Sequence, residues 1–165
     1  MNPTDLAPPI SLPTGLHWGP MRHDPATLWI TGPPGAGAAI IGRAVCSALT
    51  SAGLRVRLLD DEPDDGVGVD LAERARRAAA AAVALVDEGV VAVVVIDSRH
   101  VRDRELARLA HEACRLPFFE IFVNTSTEHR QDGPKGEHYE VPPLPDLVVF
   151  PGPVVAAVSS VMALF

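Results

Sequence analysis

The run Thr27-Leu28-Trp29-Ile30-Thr31-Gly32-Pro33-Pro34-Gly35-Ala36-Gly37-Ala38-Ala39 decides how this chain folds. Its first five residues are apolar or β-prone and stop at Gly32, which reads as a short buried strand. Residues 32–37 are almost entirely Gly and Pro and read as a loop. From Ala38 to Ala52 apolar residues recur at helical spacing, at Ile41, Val45, Ala48 and Leu49, and Gly53 ends the helix. A Gly-rich loop between a strand and a helix is the setting in which G-x-x-x-x-G-K-[ST] binds phosphate. Gly32 and Gly37 have the separation of that motif. Ala38 stands at its lysine, however, and Ala39 at its hydroxyl residue.

Downstream, Val56–Leu59 reads as a second strand that runs into the acidic stretch Asp60-Asp61-Glu62-Pro63-Asp64-Asp65. Asp70–Glu88 fits a long helix closed by Gly89, and Val90–Ile96 is a continuous apolar strand of the kind buried on both faces. Arg102–Arg115 is helical, with Leu106, Leu109, Ala110 and Ala113 on one side and His111 expected at the surface. Phe118–Val123 and Leu147–Phe150 are two further strands, and Val154–Leu164 is a closing helix. Strands alternating with helices predict an α/β fold, a three-layer sandwich around a mainly parallel sheet of about five strands.

The 165 residues suit one domain, on a prior of about 150 residues each. Residues 1–25 carry six prolines and no periodicity, so they read as a Pro-rich strap ahead of a folded domain at 26–165. With 14 basic and 21 acidic residues the net charge is −7, and the only lysine is Lys135. No basic face is available for a nucleic-acid backbone. Cys46 and Cys114 have no metal-ligand spacing and are expected as two buried free thiols. The longest apolar stretches, Ala78–Val86 and Val90–Ile96, fall well short of the roughly 20 residues of a membrane span. No signal peptide is visible, and a cytoplasmic location is expected.

Short matches in a fixed order extend the reading. Leu28-Trp29-Ile30-Thr31-Gly32 is similar to L-W-F-T-G, and Leu59-Asp60-Asp61-Glu62 stands where L-D-G-D would. Arg76-Arg77, Asp87-Glu88-Gly89-Val90-Val91, and Ile96-Asp97-Ser98-Arg99 in the place of F-I-S-P follow in turn. Then come Arg102-Asp103-Arg104-Glu105, Phe122-Val123-Asn124-Thr125, Pro134-Lys135-Gly136 and Tyr139-Glu140-Val141-Pro142. Together they resemble the adenylylsulfate kinase family over roughly residues 26–164. The resemblance implies a P-loop NTPase-like fold, a reaction that moves the γ-phosphate of MgATP to the 3′-hydroxyl of adenylyl sulfate, and a homodimer. Against that pattern, Asp65 replaces an arginine. By spacing back from Asp87, the family's substrate-binding arginine falls at Leu71 and its asparagine at Arg74. Pro134-Lys135-Gly136 is followed almost at once by Tyr139-Glu140, so the long basic lid between them is missing.

The candidate site follows from these residues. Gly32, Pro33, Pro34, Gly35, Ala36, Gly37, Ala38 and Ala39 keep backbone N–H groups and a helix N-terminus, enough to hold ATP or ADP weakly. The alternative is a Gly-rich turn kept for its geometry alone. Without a lysine and a hydroxyl at 38 and 39, Mg²⁺ is not expected to be tightly held, and phosphoryl transfer loses its main electrostatic support. Asp60 and Glu62 are candidate general bases, or members of a solvated acidic loop. Ser98, aligned with the serine of F-I-S-P, is a candidate catalytic and substrate-binding residue beside Arg99, or else a cap on the following helix. Arg74 joins the substrate-binding set by its spacing.

Two functions remain open. The first is a catalytically degenerate pseudo-kinase that binds a nucleotide or a partner, with a protein reaching the strap or the lidless crevice. The second is an altered phosphotransferase acting on a different small molecule through Asp60, Glu62, Ser98 and Arg99.

Overall fold

The computed structural model describes residues 24–61, 70–125 and 138–165. Most of the Pro-rich strap, Glu62, Asp64, Asp65, His129 and Pro134-Lys135-Gly136 lie outside the described residues.

Five strands and four helices alternate along the chain: β1 (Thr27–Thr31), α1 (Ala38–Ser51), β2 (Val56–Asp60), α2 (Leu71–Asp87), β3 (Val91–Val95), α3 (Val101–Ala113), β4 (Phe118–Val123), β5 (Leu147–Val149) and α4 (Val154–Met162). The sheet order is β2-β3-β1-β4-β5, and every pairing is parallel. β1 is therefore central, with Leu28 opposite Val93 on one side and Phe119 on the other. All five of its residues are buried, as are all five of β3. This is why both strands read as unbroken β-prone runs rather than as alternating ones.

Strand alternation sorts the side chains into two cores. Leu28 and Ile30 of β1 pack with Val91, Val93 and Val95 of β3 beneath α1 and α4, where Ile41, Val45, Leu49 and Val161 meet them. Trp29 points the other way, toward Ala75, Ala79, Ala82 and Val86 of α2 and Ala107 of α3. The alanine stripe lets α2 lie close to the sheet around the large indole. Asp70 caps α2 by accepting the Ala72 amide at 3.1 Å.

Three sequence expectations need correction. α3 does not bury Leu106 and Leu109, which are 54% and 56% exposed. Its inward face is Asp103, Arg104, Ala107 and His111. His111 is fully buried rather than at the surface, because β1 and α3 offer its two ring nitrogens partners. The ring sits 2.7 Å from the Thr27 hydroxyl and 2.7 Å from the Ala107 carbonyl. Cys114 is exposed where α3 ends, while Cys46 is half-buried, and burial pushes its thiol up to about 11.

Candidate functional site

The loop after β1 rises from the middle of the sheet and passes directly into α1. Gly32 is required there by space: a Cβ would lie 2.8 Å from the Val123 carbonyl oxygen of β4. The Ala36 amide closes a turn onto the Pro33 carbonyl at 3.0 Å. Gly37, at φ 85°, bends the chain into the left-handed region and becomes the N-cap of α1 without a side-chain cap. An L side chain is strained in that conformation. The first-turn amides of α1 therefore keep their usual positive character. Ala38 and Ala39 place only methyl groups beside them.

A cleft of about 480 Å³ opens over this loop, and it gathers all eight sequence-predicted loop residues with Asp60, Asp61 and Asp97. Asp60 ends β2, and its carboxylate is 3.4 Å from Arg43 Nη2 of α1. Asp61 was not singled out from the acidic stretch, yet it does the most structural work. One carboxylate oxygen accepts the Asp97 amide at 2.7 Å, and the other is 3.5 Å from Arg74 Nη1. Arg99 Nε and Nη2 both donate to the Asp97 carboxylate. Each carboxylate of the cleft thus has its own arginine. Among the described residues lining the cleft the one cation is Arg43, and it already faces Asp60.

Ser98 is buried just beyond the end of β3. It is 3% exposed and accepts a hydrogen bond from Trp29 Nε1 at 3.1 Å. Its own hydroxyl donates to Thr31 Oγ1 at 3.4 Å, and Thr31 meets the Tyr139 hydroxyl at 3.0 Å. Ser98 does not cap α3, whose N-cap is His100. Arg74 and Arg99 stand with Asp61 and Asp97 at the ends of β2 and β3, so they adjoin the cleft through their carboxylate partners.

A further buried network has no local signature in the sequence, because its members are far apart in the chain. Arg104, 2% exposed, donates to Glu120 Oε1 at 2.8 Å and to the carbonyls of Ser98 and Glu140. Burial raises the Tyr139 hydroxyl above its ordinary value. The Val101 amide, donating to Glu140, holds that carboxyl below the usual range. The available signal was polar residues at helical spacing on α3, at Asp103, Arg104 and His111, with Ala107 between them.

A second cleft, about 270 Å³, flanks the loop on its other side. Ile40, Val123, Thr125, Phe150 and Val154 are in its wall, together with Gly35–Gly37. The buried Thr125 hydroxyl oxygen there has no hydrogen-bond partner among the described residues.

A five-stranded parallel sheet with a glycine loop running from its central strand into α1 defines the α/β class of P-loop NTPase-like domains. The family model described as adenylylsulphate kinase matches residues 24–142. The chain belongs to the adenylylsulphate kinase family. It is 36% identical to an adenylyl-sulfate kinase of Vibrio vulnificus over 125 residues, which cover 70% of this chain and 59% of that protein. A probable adenylyl-sulfate kinase of Aeropyrum pernix is 34% identical, over 66% of this chain and 64% of that one. The chain thus spans about three-fifths of the length of these relatives. Among solved structures, the Mycobacterium tuberculosis APS kinase in complex with AMPPNP and APS superposes with a TM-score of 0.75 at 28% identity, covering 86% of this chain and 97% of that one.

Proposed function

We propose that this chain holds an adenine nucleotide through the backbone of its phosphate loop and does not transfer the phosphoryl group efficiently. One observation carries the reading: the loop keeps the backbone turn of a phosphate cradle while presenting methyl groups at Ala38 and Ala39. Backbone amides at a helix N-terminus attract an anion without any side chain. A lysine on the β/γ-phosphates and a hydroxyl on Mg²⁺ supply the transition-state charge stabilisation, and neither residue type stands at those positions. Arg43 in the cleft and Arg74 and Arg99 beside it act in the same direction, since each is already engaged by a carboxylate. On this reading the apolar cleft beside the loop takes the base, with the Thr125 hydroxyl available to it.

In the family reaction the γ-phosphate of ATP passes to the 3′-hydroxyl of adenylyl sulfate. In this chain Asp60 and Glu62 are the proposed carboxylates nearest the acceptor, and Arg74 and Arg99 the proposed substrate-side cations. Mg²⁺ is weakly held. The folded domain at 26–165 is proposed to work as a homodimer, and the strap at 1–25 or the crevice is the proposed approach for a protein partner.

Calorimetric titration with ATP, ADP and adenylyl sulfate, with and without Mg²⁺, tests the nucleotide reading. Binding of ATP with little dependence on Mg²⁺, and no ADP formation in the presence of adenylyl sulfate, is expected. The double variant Ala38→Lys, Ala39→Ser should bind ATP about tenfold tighter or better and acquire Mg²⁺ dependence, as restored charge-assisted bonds would give. Mg²⁺-dependent ADP formation by the unaltered chain would overturn the degenerate reading in favour of an altered phosphotransferase.

A further inference from the structure

Tyr139 and Glu140 are consecutive residues that engage four separate parts of the fold, yet neither lines the two clefts beside the phosphate loop. The Tyr139 ring is nearly parallel to Phe122 of β4, with centroids 6.1 Å apart, and the Arg104 guanidinium lies 5.2 Å from its centre. Its hydroxyl reaches Thr31 at the end of β1. The Glu140 amide donates to the Arg99 carbonyl at 2.8 Å, and its own carbonyl accepts from Arg104. Its carboxylate accepts the Val101 amide at 2.7 Å, so a residue 39 positions away caps α3 where His100 offers no side-chain cap.

Thr31 is where these contacts meet the site. It is 2% exposed, stands immediately before Gly32, and shares its hydroxyl between Tyr139 and Ser98. Ser98 in turn takes the Trp29 indole N–H. Buried hydroxyls joined in a chain orient one another, and deleting one leaves its neighbours short of partners. Gly32 has little room to absorb a shift of Thr31, because even a Cβ there would lie 2.8 Å from the Val123 carbonyl oxygen. We propose that Tyr139 is a positioning residue for the phosphate loop: seated by Phe122 and Arg104, its hydroxyl fixes Thr31 and thereby the path of the backbone from Gly32 into α1. Glu140 anchors Tyr139 by tying the same segment to the start of α3. The effect on ligand affinity rests on the nucleotide reading above, whereas the effect on the loop backbone does not.

Tyr139→Phe keeps the ring stack and removes one hydroxyl. Amide hydrogen exchange in the full native chain would be followed at Ile30–Gly32 and at Ile41, whose amide donates to Gly37 in the first turn of α1. The expected change there is exchange about fivefold faster, the factor one lost hydrogen bond is worth, with β5 and α4 unchanged. Thr31→Val should reproduce it, the double variant should add nothing further, and Thr31→Ser should retain wild-type rates. Thr27→Val deletes a buried hydroxyl at the opposite end of the same strand and should leave Gly32 and Ile41 unaffected. Unchanged exchange in Tyr139→Phe, equal acceleration in Thr27→Val, or additive effects in the double variant would overturn the proposal. ATP titration of the same variants should show equally weakened affinity for Tyr139→Phe, Thr31→Val and their double variant, and unchanged affinity for Thr31→Ser and Thr27→Val. Absence of ATP binding by the unaltered chain would refute the nucleotide reading, while the exchange rates would still decide the positioning role.

Discussion

His111 carries its ring proton on Nδ1, because the Ala107 carbonyl opposite that nitrogen only accepts. Nε2 is then an acceptor, and the Thr27 hydroxyl donates to it. The arrangement needs a neutral imidazole, and burial holds its pKa below the ordinary 6.5. The sign of the pH effect follows. As pH falls through about 6.5 an unfolded chain takes up a proton at this position, and the folded chain does so only at lower pH. The contribution to stability is therefore complete above that value and is lost on the way down to the folded-state pKa. Urea unfolding between about pH 7.5 and 5.5 should show this loss, and His111→Gln should have a shallower slope across the same window. Equal slopes in the two proteins would place the pH dependence on other groups.

At the scale of elements, α1 sits tightly against β3 at Gly42. A Cβ on Gly42 would lie 2.3 Å from Val95 Cγ2, and a β-branched neighbour has little rotamer freedom with which to move aside. Gly42→Ala should therefore cost about 1–3 kcal/mol despite the better helix propensity of alanine, and Val95→Ala in the same chain should return part of it. Chemical denaturation of the two variants measures both terms. α3 gives a different lesson about faces. Its buried positions 103, 104, 107 and 111 do follow a helical period. Three of those four residues are charged or titratable, so an apolar stripe traced through Leu106 and Leu109 falls on the outside. What makes the polar face the inner one is supplied by Thr27, Glu120, Ser98 and Glu140, none of which is on the helix.

For the molecule as a whole, ligand binding and folding are linked. A nucleotide held by the native loop alone, at a concentration about 100 times its dissociation constant, adds about 2.7 kcal/mol to stability. In a domain of this size that raises the thermal midpoint by roughly 5–10 °C. Differential scanning with ATP should show such a rise, and inorganic sulfate at equal ionic strength should give a smaller one. Equal shifts would mean that the loop reads only negative charge. Among the described residues no helix is long and apolar enough to cross a membrane, and no group of three or more His, Cys, Asp or Glu side chains is arranged to hold a metal ion.

The boundaries of nearly every strand and helix, the parallel three-layer class and the position of the phosphate loop were legible in the sequence. Each depends on local rules: apolar runs for strands buried on both faces, a helical period, and glycine where the backbone turns. The replacement of the loop's lysine and hydroxyl by Ala38 and Ala39 was legible for the same reason, being a matter of adjacent residues. The partners of the charged side chains were not. Asp61 rather than Asp60 ties β2 to β3, Ser98 turns inward to Trp29, and Tyr139 reaches Thr31 across 108 positions of chain. Those bonds depend on strand order and on which elements face each other. A hydrogen bond has no period in the sequence by which it can be read, so these pairings emerge only when the sheet has assembled.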